Sequence, residues 1–179
     1  VTTDHLILIG VFDGFSWIRC EGKGSFMNSP LMKAFGDERI DSGEKKVVVD
    51  LSNCTGMDST FMGTLAGMAS RLSAKDKGTL QIAEADARNR RSLEDLGLDF
   101  LMEIDPPAAQ WRDHLGDIRK DLRPVKSVSA ALDQGQRAKH VLDAHQVLSD
   151  VNDKNAREFA NVVGMLQEQV APKDSFNRD

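Results

Sequence analysis

The chain has 179 residues, 40% of them hydrophobic, and a formal net charge of −5 with 28% charged residues. That length supports one ordinary core with an extension, or at most two small domains. The acidic balance excludes the basic stripe of a nucleic-acid binder, and no apolar run approaches the roughly 20 residues that a membrane helix needs.

The N-terminus carries no signal-peptide pattern, because Asp4 and His5 precede the apolar Leu6-Ile7-Leu8-Ile9. The chain begins with Val1 and not Met, which leaves room for residues upstream. Leu6 to Phe12 reads as a first strand and Phe15 to Cys20 as a second, with the Asp13-Gly14 turn signal between them. An antiparallel hairpin is expected. Asn28 or Ser29 can cap a helix that has Pro30 at its first position and Leu31, Met32 and Phe35 on its apolar side.

Lys46 to Leu51 is a short and almost continuously apolar strand, the kind that is covered on both faces. Ser52 to Ser59 is expected to be a loop rich in capping residues. Thr60 to Leu72 is expected to be a helix, with Phe61, Leu65, Met68 and Leu72 at steps of three and four. Its small residues Ala66, Gly67, Ala69 and Ser70 allow a close neighbour. Thr79 to Ala85 is the next strand. Asp86 to Leu96 is a third helix, with Gly97 as its C-cap, and Phe100 to Ile104 is a short last strand. The order is β-β-α-β-α-β-α-β, which predicts an α/β fold with a mixed sheet of four to five strands packed with helices.

Asp105-Pro106-Pro107 closes that unit, so the expected domains are 1–105 and a helical C-terminal extension, 106–179. Ala108 to Leu122 suits an amphipathic helix carrying Trp111, Leu115 and Ile118. Arg123-Pro124 and Ser127 to Ser129 read as a connection. After Ala130 the chain reads as helix nearly to Ala171-Pro172, with an apolar face from Val141 to Val170 that Asn155 interrupts. Lys173 to Asp179 is expected to be a frayed tail. The long helix has three open roles: a homodimer seam, a surface for another protein, or a lid on the chain's own sheet. In a dimer seam Asn155 would cost stability but set register.

Two cysteines, Cys20 and Cys54, make no disulfide framework and suit buried reduced thiols. His140 and His145 are five apart and do not form an i, i+4 pair, so no metal site is expected. Arg88, Arg90 and Arg91 suit a solvated face better than a docking contact. Asp50 at the strand end suits a hydrogen bond to the following loop better than catalysis. Gly63 and Gly67 lie inside a helix and make no phosphate loop. No catalytic order of residues and no cofactor motif stands out, and an enzyme is not expected.

The most informative segment runs from Val47 to Leu65, VVVDLSNCTGMDSTFMGTL. An apolar strand ends in Asp-Leu-Ser, a loop follows, and Met57-Asp58-Ser59-Thr60 opens a helix with Gly63 near its start. This segment resembles the core motif of the STAS family, the anti-sigma-factor antagonists of bacterial partner switching, and the resemblance extends over about residues 5–105. It implies a cytoplasmic binding protein in which a serine kinase that is also the anti-sigma factor phosphorylates Ser59. The unmodified form would bind that kinase, the phosphorylated form would not, and a phosphatase would reset it. Asp58 and Thr60 would support and cap, and Thr60 is a secondary acceptor. A STAS scaffold or ligand-sensing module without phosphorylation is the alternative that the resemblance implies.

Read as residues alone, Asp58-Ser59-Thr60 is also an ordinary helix cap, worth about 0.5–2 kcal/mol. A phosphate at a helix N-terminus is favoured by the free N–H groups and the helix dipole. It is therefore expected to act on a docking surface and not to unfold the domain. Two positions depart from the family pattern. Phe61 stands where Gly is frequent, and Gly22-Lys23-Gly24-Ser25-Phe26 lacks a frequent Asp. Phe26, Phe61 and Met62 are candidates for an apolar partner interface beside Ser59, with core packing as the alternative for the two phenylalanines.

Overall fold

The computed structural model describes residues 6–75, 77–125 and 132–171. The expected connection at Ser127 to Ser129 and the tail from Lys173 to Asp179 lie outside the described residues.

Strands β1 (Leu6–Phe12) and β2 (Phe15–Gly24) form the expected hairpin around Gly14, whose φ of 87° a side chain would resist. Helix α1 (Ser29–Asp41) follows, with Pro30 in its first turn. Asn28 precedes it but does not cap it, because its Oδ1 accepts the Ser25 N–H instead. Then come β3 (Lys46–Asp50), β4 (Cys54–Met57), α2 (Ser59–Ala74), β5 (Thr79–Ala83) and α3 (Ala87–Asp95). A 3₁₀ turn at Leu98–Phe100 and the two-residue β6 (Glu103–Ile104) occupy the expected last strand.

The sheet order is β6-β5-β3-β2-β1 and then β7 (Arg123–Pro124), with β4 paired to the far end of β2. Only the β1 pairings are antiparallel. The sheet therefore has seven strands where four to five were expected. The additional ones are short. β4 lies in the segment read as loop and reaches the sheet because β2 shifts register at Gly22 and runs on to Gly24. β7 contains Pro124, which an edge position tolerates.

Successive side chains of β3 point to opposite faces, and both faces are covered. Val47 and Val49 enter the main core with Ile18, Leu65, Leu72, Leu80 and Ile82. Val48 enters a second core with Trp17, Ala83, Trp111 and Ile118. This explains the unbroken VVV. The second core is closed by residues 110–120, which form a 3₁₀ helix (Gln110–His114) and the short α4 (Leu115–Lys120) where one amphipathic helix was expected. Trp111 stacks edge-on against Trp17 at 5.5 Å, and its Nε1 donates to Gln81 Oε1 at 2.8 Å. Packing is thus continuous across Asp105, where the domain boundary was placed.

The expected long C-terminal helix is two helices, α5 (Gln134–Val151) and α6 (Asp153–Val170), folded into a hairpin. Asn152 breaks it. Its backbone is extended, with φ −161° and ψ 169°, and its side chain accepts the Asn155 N–H as the cap of α6. Asn155 is fully buried and donates from Nδ2 to the Leu96 carbonyl at 2.9 Å. The residue that interrupts the apolar face thus pins the hairpin to the end of α3. Gly97 sits there with φ 73°, where a Cβ would come within 2.9 Å of Asn152 Nδ2.

Candidate functional site

Helix α2 starts where β4 ends, so the loop after β3 delivers Asp58 and Ser59 to one corner. Asp58 is the N-cap, and its Oδ1 accepts the Phe61 N–H at 2.8 Å. Its second oxygen accepts the Phe26 N–H, also at 2.8 Å. One carboxylate therefore joins the start of α2 to the turn after β2. Ser59 is the first residue of α2 and is half-buried. Thr60 is buried, and its carbonyl accepts the Thr64 hydroxyl within α2.

Ser59 does not stand free at this corner. Its Oγ lies 2.8 Å from Nε2 of His145, on α5. The other ring nitrogen, Nδ1, is 2.7 Å from the Val141 carbonyl, which can only accept. In the neutral ring the proton therefore sits on Nδ1, Nε2 is the acceptor, and the Ser59 hydroxyl donates. Phe159 of α6 packs edge-on against the His145 ring at 5.4 Å and fixes its plane. A second pair repeats the arrangement at the other side of the seam, where Ser29 Oγ meets His140 Nε2 at 2.8 Å. His140 is held below the usual histidine range by burial and then by the nearby Lys33.

These two histidines were not singled out by sequence reasoning as partners of the serines. Their spacing of five sets them about 140° apart on α5, at the two margins of the buried face that carries Ala144 and Leu148. The only sequence signal was that both fall inside a helix with one apolar side.

Between the two pairs the helices come very close. A Cβ on Gly63 would lie 2.9 Å from Ala144 Cβ and would also press on the Ala144 carbonyl. Gly63 thus permits α5 to cross α2 almost backbone to backbone. A cavity of about 190 Å³ remains beside this crossing, lined by α1, α2 and α5 residues that include Gly67, Met68, His140 and Val147.

The three expected interface residues separate. Phe61 is fully buried and Met62 nearly so, both within the main core, so neither forms a solvent-facing rim. The ring of Phe61 lies over Gly24, where a Cβ would come within 2.8 Å of it. The large residue where the family favours Gly is accommodated by a glycine on the facing strand. Phe26 is 54% exposed, and its neighbour Met27 63%, and together they form an apolar knob beside Asp58.

The remaining candidates have structural roles. Asp50 is fully buried and accepts the Ser52 N–H at 3.0 Å, as expected of the loop bond. It also accepts Arg119 Nε at 3.0 Å and Trp17 Nε1 at 3.3 Å. Arg90 pairs with Glu94 and Asp105 on an exposed face. Cys20 and Cys54 are free and buried, and the neighbouring Cys54 thiol, then burial, pushes the Cys20 thiol up. Among the described residues no group of acidic, histidine or cysteine side chains could hold a metal ion.

Comparison with known proteins bears on this corner. The family profile described as "Mlab, STAS domain" matches residues 16–103, which include Asp58, Ser59 and Thr60. Among solved structures, the chain is similar to the protein TM1081 from Thermotoga maritima. Identity is 19%, with 62% of this chain and 92% of that one covered at a TM-score of 0.52. An anti-sigma factor antagonist from Mycobacterium paratuberculosis gives 20% identity, 63% and 92% coverage and a TM-score of 0.52. The anti-sigma factor antagonist SpoIIAA in its unphosphorylated form gives 17%, 64% and 97%, and 0.50. At these identities the likeness is one of fold. No curated protein matches in sequence.

Proposed function

We propose that the chain, whose residues 16–103 match the STAS domain profile, is an anti-sigma-factor antagonist switched at Ser59. In this reading the unmodified protein binds an anti-sigma factor that is also a serine kinase. Phosphorylation of Ser59 ends that binding, and a phosphatase restores it. The phosphoryl chemistry belongs to the partners, and the chain supplies the acceptor and the docking surface. The reading places the protein in the cytoplasm. Among the described residues no helix is long and apolar enough to cross a membrane.

The observation that carries the proposal is the position of Ser59 as the first residue of α2, under the Asp58 cap. A phosphate there meets the positive end of the helix dipole, so the helix itself tolerates it. Beside it, the exposed Phe26 and Met27 offer the apolar contact of a protein-binding surface. Thr60 is a poor second acceptor because its side chain lies in a buried residue. A homodimer through the C-terminal helices would have to use α6, since the inner side of α5 is spent on α2.

Incubation with ATP and a serine kinase of the partner-switching type tests the site. Phosphate on Ser59, with loss of complex formation, is the expected result. Phosphate on residues other than Ser59 or Thr60 would sink the assignment.

A second reading is a STAS scaffold or sensing module that is never phosphorylated. The bond from Ser59 to His145 favours it, because the hydroxyl already has a partner. Protein isolated from its host in complex with a partner, with no phosphate under any growth condition, would select this reading.

A further inference from the structure

Helix α5 partly covers the Ser59 corner as the chain stands, leaving Ser59 half-buried. Helix α5 lies over the start of α2, with His145 on the Ser59 hydroxyl, His140 on Ser29, and Ala144 against Gly63. We propose that the α5–α6 hairpin is a built-in occupant of the Ser59 docking face: within one chain, α5 takes the place that a partner's helix takes once the hairpin is off. The inference rests on the reading of Ser59 as the partner-binding corner and adds its regulation.

Three features mark the seat as one for a releasable helix. The contact is made through a glycine, so a helix can approach with only a small residue such as Ala144 at the crossing. Polar pairs, two Ser–His bonds, hold each side of it. Both can be exchanged for water, whereas the apolar part of the seat, where Leu148 joins the main core, is what opening must expose. A half-open groove of about 190 Å³ borders the seam, so that side of α5 is not sealed from solvent. By contrast, the far end of the hairpin is fastened by Asn155 to Leu96. The hairpin can therefore swing from the Ser59 end while it stays tethered near α3.

The same geometry links cover and modification. The Ser59 Oγ and His145 Nε2 are in direct contact at 2.8 Å. A phosphate on Oγ takes away the proton that the hydroxyl donates to His145 Nε2, so phosphorylation of Ser59 removes one of the two bonds that seat α5. A partner that fits this face presents an amphipathic helix with a small residue for Gly63 and a hydrogen-bonding group for Ser59.

The test uses the full chain carrying Ser59→Cys as an accessibility probe, labelled with a maleimide and located by fragment mass so that Cys20 and Cys54 are not counted. Adding Ala144→Arg, which cannot sit against Gly63, is expected to raise the labelling rate about tenfold or more, the effect of roughly 1.4 kcal/mol on an opening equilibrium. Gly63→Ala, which drives a methyl into α5 from the other side, must raise it too. Amide exchange should rise in α5 while β3 and β5 stay protected. Equal labelling rates with and without these changes would overturn the proposal. So would loss of protection in β3 and β5, since the hairpin would then be part of the core and not a cover. No kinase enters this assay, so failure of Ser59 to accept phosphate would count against the function proposed above and leave the labelling result standing.

Discussion

The strand domain and the C-terminal hairpin are held by different physics. The sheet buries apolar side chains on both faces, with Val47, Val48 and Val49 all fully inside. Such a contact is undone only by unfolding. The hairpin also buries apolar residues, chiefly Leu142, Leu148 and Leu166. At the Ser59 end, however, it relies on two Ser–His hydrogen bonds and a glycine crossing. A phosphate can reverse one of those bonds. In the reading proposed above, stability and regulation lie in different parts of the chain, with α2 as the shared wall.

Changes that strike the shared wall should have the largest effect. Leu65→Ala removes a fully buried α2 side chain and is expected to cost about 2–5 kcal/mol in chemical denaturation. Sheet and hairpin should lose protection together. Asn155→Ala should act on the hairpin alone. It leaves the Leu96 carbonyl without its partner, for a loss of about 1–3 kcal/mol of docking free energy. Hydrogen exchange should rise in α6 and not in β3. Asp58→Ala removes the cap of α2 and its bond to the Phe26 N–H. A loss of about 0.5–2 kcal/mol is expected from the cap, read as a lower melting temperature.

The smallest effect should be that of pH. His140 faces Ser29, Lys33 of α1, Asp58 and its own helix's Asp143, and its pKa lies below the ordinary value of 6.5 because of burial and Lys33. Below 6.5 the unfolded chain takes up a proton that the folded chain resists. Stability from this group is therefore fully present above that pH and is lost as pH falls toward the folded value. Exchange in α5 should increase from pH 7 toward pH 5, and His140→Gln should flatten the dependence. A sheet that loosened in step with α5 would erase the distinction between the two regions.

Much of the fold was legible because local signals agreed. The turn at Gly14, the unbroken Val47-Val48-Val49 and the Asp86 and Gly97 ends of α3 each have a direct physical meaning, and the structure uses them so. Two-residue strands such as β6 and β7 carry no period to read. The break at Asn152 was hidden because a capping Asn inside an otherwise helical pattern gives a weaker signal than Pro or Gly. At the site, Asp58 was legible as a cap. Phe61 was ambiguous, since whether a phenylalanine points outward depends on Gly24, a residue 37 positions away on another strand. The Ser59–His145 bond joins residues 86 apart and could not be read from spacing.

The most direct test of the account is hydrogen exchange on the full chain with and without Ser59→Glu. A carboxylate at that position, like a phosphate, lacks the proton that the hydroxyl donates to His145, so amides of Gln134–Val151 should exchange faster while those of Lys46–Asp50 and Thr79–Ala83 stay unchanged. Unaltered protection of α5 in the Ser59→Glu protein would contradict the account.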